Sequence, residues 1–294
     1  MNPAIVVFVL AEALRPSECT SLDGGRASVV WQRVKAPELQ RYCDLIASGI
    51  AKLASEPGMP DEALATAAEA EKALPGRAPA AILSGRALLR QGRASEAYAS
   101  LREAKRRNER ALDEPHALLA WARAAGRTGR TDEAREAYAS LLPSLDSLPT
   151  FERESAYVEG GMLFLAKGPE RLSQAIEALR QARREAHGDP QVVATVALAL
   201  ALDRAGELAE ARGVIDERPL PGAAAAIDRA RARRLIGPET NDPEALALAA
   251  YLVESQKSKG AREAWRRYID ALPSGPWAAH AKEHEAALAH GAKR

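Results

Sequence analysis

Aromatic side chains are scarce in this 294-residue chain, at 4%, although 47% of its residues are hydrophobic. Ala and Leu therefore carry most of the apolar content, and both are strong helix formers. A sheet face would call for β-branched and aromatic residues instead. No Val/Ile/Thr/Tyr alternation bounded by hairpin turns appears. An excess of charge is also missing: 41 basic residues stand against 40 acidic ones, a net charge of +1. Global attraction to phosphate or to anionic lipid is excluded on that count, leaving only local basic patches. Long apolar runs are absent too. The longest, Val192 to Leu202, contains Thr195 and stops at Asp203, short of the ~20 residues that a membrane span requires. It reads as a helix buried on most sides, and no transmembrane segment is expected. Catalytic signatures are wanting as well: there is no G-x-S-x-G, S-x-x-K, phosphate loop or G-x-G-x-x-G.

Cysteine is rare, and both copies, Cys19 and Cys43, lie in the first fifth of the chain. Bonded, they would close a loop of about 25 residues and stabilise by roughly 3 kcal/mol; two free thiols are the other reading. Upstream, Ala4 to Ala11 reads AIVVFVLA, followed by Ala11-Glu12-Ala13. The run has the length of a signal-peptide core and the triplet fits a small-residue cleavage site, though no Lys or Arg precedes it. It equally fits a buried N-terminal strand or helix. The chain is thus divided into a signal-like leader at 1–13, an extension at 14–36 and a helical array at 37–294. Leader and cysteines together favour the periplasm or cell envelope over the cytoplasm.

What is present is helical periodicity, from near Pro37 almost to the end. Breakers such as Pro57-Gly58, Pro75-Gly76, Gly92, Pro115, Gly129, Gly168-Pro169, Gly206 and Gly260 punctuate it, as stop and start signals of helices of about 12 to 17 residues. Two strings align: Gly85 to Tyr98, with a Gly-Arg turn followed by Glu-Ala, and Ala122 to Glu136, with the same arrangement. The turn and second-helix start recur at Gly206 to Ala211 and Gly260 to Ala264, and more loosely at Pro60 to Ala63 and Leu172 to Ala175. Small residues recur at the second-helix position as Ala63, Ala97, Ala134, Ala175, Ala211 and Ala264. The long last interval calls for an extra helix near Ala223 to Leu235.

On these residues the chain resembles the tetratricopeptide repeats, over about Pro37 to Leu272. That family places small residues at positions 8 and 20 and a large one at 24, matched here by Gly85, Ala97 and Leu101, or by Ala122, Ala134 and Tyr138. The resemblance implies an all-α fold, a right-handed superhelical solenoid of antiparallel helix pairs, with Trp277 to Ala289 as a capping helix. It implies a scaffold or adaptor that binds a protein or peptide in a concave groove, with no enzymatic activity and no cofactor. Family first helices line that groove through position 9, which here is Lys52, Arg86 and Arg123, with Arg90 and Arg127 one turn on. Such a basic stripe would engage an acidic partner. It stops where Gly161 and Leu200 take the position. The Asn of the family's carboxylate clamp is absent from it.

Two further readings come from other classes. The clusters Lys105-Arg106-Arg107 with Arg110, Arg180 with Arg183 and Arg184, and Arg229 to Arg234 could serve a nucleic-acid-associated protein. Cations at helix C-termini explain the first two, no aromatic interleaving provides a stacking platform, and no nucleic acid is expected. His280-Ala281-Lys282-Glu283-His284 fits H-x-x-E-H, a zinc-peptidase pattern that sets both imidazoles on one helix face. Only ten residues follow it, leaving no room for a downstream acidic ligand. A metal-dependent hydrolase is the third reading, behind that of a solvated face of the capping helix, and no metal ligand or catalytic residue is assigned.

Overall fold

The computed structural model describes Cys19 and residues 37–55, 57–217, 220–234 and 243–291. The leader at 1–13 lies outside the described residues, as does the extension apart from Cys19. Among the described residues there are fourteen α-helices, two 3-10 segments and no strand. No helix is long and apolar enough to cross a membrane. The chain divides into two compact units, Met1–Thr128 and Gly129–Arg294.

The first unit holds α1 (Pro37–Ala54), α2 (Pro60–Ala73), α3 (Ala78–Arg90), α4 (Ala94–Arg107) and α5 (Pro115–Arg127). Short turns fold α1 back on α2 and α3 back on α4, and each hairpin packs on the next. Pro at the first helical positions opens α2, α3 and α5, where its missing N–H costs nothing. Glu114 caps α5, its carboxylate accepting from the His116 and Ala117 amides. The helices approach closely because the crossing residues are small. A Cβ added to Gly85 would sit 2.6 Å from Leu101 Cγ, and one on Gly49 2.3 Å from Leu83 Cδ2. Ala63, Ala67, Ala97 and Ala104 are fully buried around them. A disulfide joins Cys19 to Cys43 with a Cα–Cα separation of 5.6 Å. It sits in a core with Tyr42, Ile46, Ile50 and Leu53.

The second unit holds α6 (Thr131–Leu141), α7 (Thr150–Lys167), α8 (Leu172–Glu185), α9 (Asp189–Arg204), α10 (Leu208–Asp216), α11 (Ala223–Ala232), α12 (Pro243–Ser255), α13 (Ala261–Ala271) and α14 (Ala278–Gly291). Helix α9 is the apolar run of the sequence. Every residue from Val193 to Arg204 is buried, because α7, α8, α10, α11 and α12 all pack against it. The extra helix is present as α11, resting on α9 and α12. Arg229 on it grips Asp189, at the start of α9, through two hydrogen bonds of 2.8 and 2.6 Å.

Ala63, Ala97, Ala134 and Ala175 are wholly buried and Ala211 nearly so. Two placements move. In α13 it is Ala261 that is buried, with Ala264 partly exposed. Trp265 and Tyr268 follow at the spacing of Leu101 and Ala104 after Ala97, so the register of the last pair is shifted by three. Gly161 does not face a groove; a Cβ there would lie 2.8 Å from Leu179, so it fills the same hairpin contact as Gly85 does opposite Leu101.

The turns close by a shared device. After α3, the Gly92 amide donates to Leu89 and the Arg93 amide to Leu88. After α9, Gly206 and Glu207 do the same to Asp203 and Leu202. The glycines have φ of +77° and +81°, the left-handed conformation that this cap requires. After α12 the cap is built on Lys257 at φ +53°, with Lys257 and Ser258 donating to Glu254 and Val253. A side chain in that conformation costs about 1–2 kcal/mol.

Two outcomes test this packing by urea denaturation. Ala97→Leu should lose about 1–3 kcal/mol by overpacking the α3–α4 crossing, whereas Ser95→Leu on the exposed face should change stability by less than about 0.5 kcal/mol. Lys257→Gly should raise stability by about 1 kcal/mol, while Gly206→Ala should lower it by a similar amount.

Candidate functional site

The basic positions of the stripe fall on α1, α3 and α5, and α3 touches both of the others. The first helices of the first unit therefore form one layer, as the position-9 reading requires. The cations are not idle. The Lys52 ammonium turns within its own hairpin, donating to Thr66 Oγ1 at 2.9 Å and standing 3.7 Å from Glu62 on α2. Arg86, Arg123 and Arg127 are half-buried and Arg90 is exposed, and none of the four is without a partner. Beside this face, the Tyr98 and Trp121 rings stack at 4.7 Å, and Lys105 Nζ lies 5.8 Å above Trp121.

The other basic clusters are laced to carboxylates. Arg107 bridges Glu71 and Glu103, Arg106 pairs with Glu103, Arg180 with Glu210 and Arg183 with Glu217. Hydrogen bonds from Arg106 and Arg107 hold the Glu103 carboxyl down at about 2.

The densest polar constellation lies in the second unit, where α9 ends. Asp203 and Arg204, adjacent in sequence, are both buried, and each finds a different set of partners. Arg204 Nη1 donates to Glu244 Oε2 on α12 at 2.6 Å, with the two side chains 0% and 4% exposed. Tyr268 of α13 donates its hydroxyl to the other Glu244 oxygen at 3.3 Å. The guanidinium also sits over the Trp277 ring at 4.7 Å, and Trp277 donates its indole N–H to the Leu165 carbonyl at 2.7 Å. Burial and the Glu244 charge together raise the Tyr268 hydroxyl above its usual range.

Asp203 turns the other way, to α14. Its Oδ2 lies 2.7 Å from His280 Nε2 and 2.9 Å from His284 Nε2. The opposite nitrogen of His284, Nδ1, is 2.8 Å from Glu254 Oε2 on α12, and that carboxylate also accepts the Trp265 indole N–H. Burial alone would push the Asp203 carboxyl up, but the hydrogen bonds from both imidazoles hold it well below the usual carboxylate range. Burial would likewise lower His284, yet its bonds to Asp203 and Glu254 raise it to about 9.

The reading of His280 and His284 as a solvated helix face is thus corrected. Their side chains are only 16% and 18% exposed, because Trp265 and Trp277 cover them. The acidic partner comes from 77 residues upstream of His280, where a search after the motif would not reach. The signal in the sequence was the Asp203-Arg204 pair that directly follows the apolar run Val192 to Leu202.

No family model matches the chain, and no curated protein matches it. Among solved structures it is similar to Pseudomonas aeruginosa pilF, at 16% identity over 84% of this chain and 99% of that one, with a TM-score of 0.46. It is similar to YrrB, described as a TPR protein with an unusual peptide-binding site, at 16% identity over 74% and 97%, with a TM-score of 0.42. A third is the APC/C hetero-tetramer Cut9-Hcn1, at 15% identity over 84% of this chain and 52% of that one, with a TM-score of 0.38. Among the described residues each unit is all-α and built of packed antiparallel helices.

The buried Arg204–Glu244 pair yields a direct test. Glu244→Gln should cost about 3–5 kcal/mol in urea unfolding, since it strands the guanidinium in the core. Arg204→Met combined with Glu244→Leu should cost less than that single change.

Proposed function

We propose that this chain is a non-enzymatic interaction scaffold, whose first unit holds an acidic segment of a partner protein or peptide against α1, α3 and α5. The observation that carries this reading is the adjacency of those helices, which gathers Arg86, Arg90, Arg123 and Arg127 on neighbouring rods. Guanidinium groups bind carboxylates in a two-pronged geometry that lysine does not offer. Lys52, engaged with α2, contributes field rather than a direct contact. Because the arginines already have partners in the free chain, an acidic ligand has to exchange its carboxylates for those contacts. The Cys19–Cys43 disulfide suits work in an oxidising compartment. The clusters on α4, α8 and α11 pair with carboxylates, so nothing favours a phosphate backbone there.

Binding of an array of acidic peptides by the wild type and by the Arg86→Glu/Arg123→Glu double variant tests the reading. A loss of at least about tenfold in affinity is expected, equivalent to about 1.4 kcal/mol. Unchanged binding, with helicity by circular dichroism also unchanged, would refute it.

A further inference from the structure

We infer that Asp203, His280 and His284 form a binding site for one divalent transition-metal ion of the zinc class, which clamps α14 to α9. The three ligand atoms, Asp203 Oδ2 and the Nε2 atoms of both histidines, all lie within 4.8 Å of one another. They come from α9 and α14, which are linked through α12 and α13, packed on α9 and on α14 respectively, so no folding of a loop is needed to assemble them. His280 and His284 are one turn apart, which sets both rings on the same face of α14.

The surroundings supply what such a site needs. Glu254 on Nδ1 of His284 is the outer carboxylate that fixes the tautomer of a metal-bound imidazole and raises its basicity. The rings are boxed in by aromatics: Trp265 stacks on His284 at 4.7 Å and stands edge-on to His280 at 6.1 Å, and Trp277 approaches His280 at 6.4 Å. The Nδ1 of His280 is buried with no hydrogen-bond partner, so this ring is bonded only through the nitrogen that faces Asp203. A tetrahedral ion with bonds of about 2.0–2.1 Å separates its ligand atoms by about 3.3 Å. The two separations from Asp203 are now 2.7 and 2.9 Å, so the carboxylate and the imidazoles must part by about half an ångström to admit the ion.

Two imidazoles and one carboxylate select zinc, cobalt or nickel over calcium and magnesium, which prefer all-oxygen shells. Three protein ligands leave a fourth position for water. Glu283, the residue that would activate that water in an H-x-x-E-H enzyme, is exposed, whereas the two histidines are largely buried. The ion would therefore act as a clamp and not as a catalyst.

The test uses the full chain, stripped with a chelator and titrated with zinc in competition with a chromophoric chelator, and with cobalt(II) to read coordination from its visible bands. The site predicts one ion per chain, four-coordinate cobalt bands and a melting temperature that rises with zinc concentration. His280→Asn and His284→Asn should each weaken binding by at least about 100-fold. Glu254→Gln should weaken it about 10–100-fold with helicity unchanged, and His290→Ala, on the exposed end of the helix, should leave it intact. Should the ligand variants fail to fold, the wild-type titration and Glu254→Gln decide. Substoichiometric binding, an unmoved melting temperature, or binding that survives loss of either His280 or His284 would overturn the assignment.

Discussion

The structure depends on the near contact of paired helices, which is possible only where side chains vanish. Leu101 occupies the space that a Cβ on Gly85 would need, as Leu179 does opposite Gly161 and Leu83 opposite Gly49. Each large residue fills the notch left by a missing one, which lets alanine-rich helices reach the packing density of an ordinary core with few aromatics. A few bulky side chains are fully buried as well, Tyr42 in the first unit and Tyr138, Phe164, Trp265 and Tyr268 in the second.

Helix α9 shows what such a unit demands of its centre. Buried from Val193 to its end, it nevertheless carries Asp203 and Arg204 in succession in its last turn. Burying both charges is costly unless each is separately compensated. The fold does this by sending them to opposite partners, Arg204 to Glu244 and Tyr268, and Asp203 to the histidines of α14. The last described helix is thereby fastened to the middle of the unit by polar contacts, which are directional, and Trp277 adds a further anchor through the Leu165 carbonyl. Directional contacts fix a helix's rotation more tightly than the alanine-rich face of α14 could.

Much of this was legible beforehand for a plain reason. Small residues recurring next to Gly-Arg turns mark a hairpin wherever they occur, because the approach of two rods and the left-handed cap are local requirements. Ala63, Ala97, Ala134, Ala175 and Ala211 could be placed on that basis, and so could the buried character of Val192 to Leu202. Ala264 was misplaced because Trp265, a large residue beside the expected position, takes over the role that Leu101 has in α4. Gly161 was misread as groove-facing because α7 is longer than the repeat pattern allows, which moves the count by one.

The order of elements, the hairpin pairing and the absence of a sheet among the described residues follow from the sequence by itself, since periodicity, helix propensity and breakers act within a few residues. Which charges meet was decided by tertiary structure alone. Nothing in the spacing joins Asp203 to His280 and His284, or Arg204 to Glu244, because those neighbours are brought together by stacking helices whose connecting segments vary in length. Electrostatic partnership depends on separation in space, and in an array of hairpins that separation is set only after every intervening element has packed.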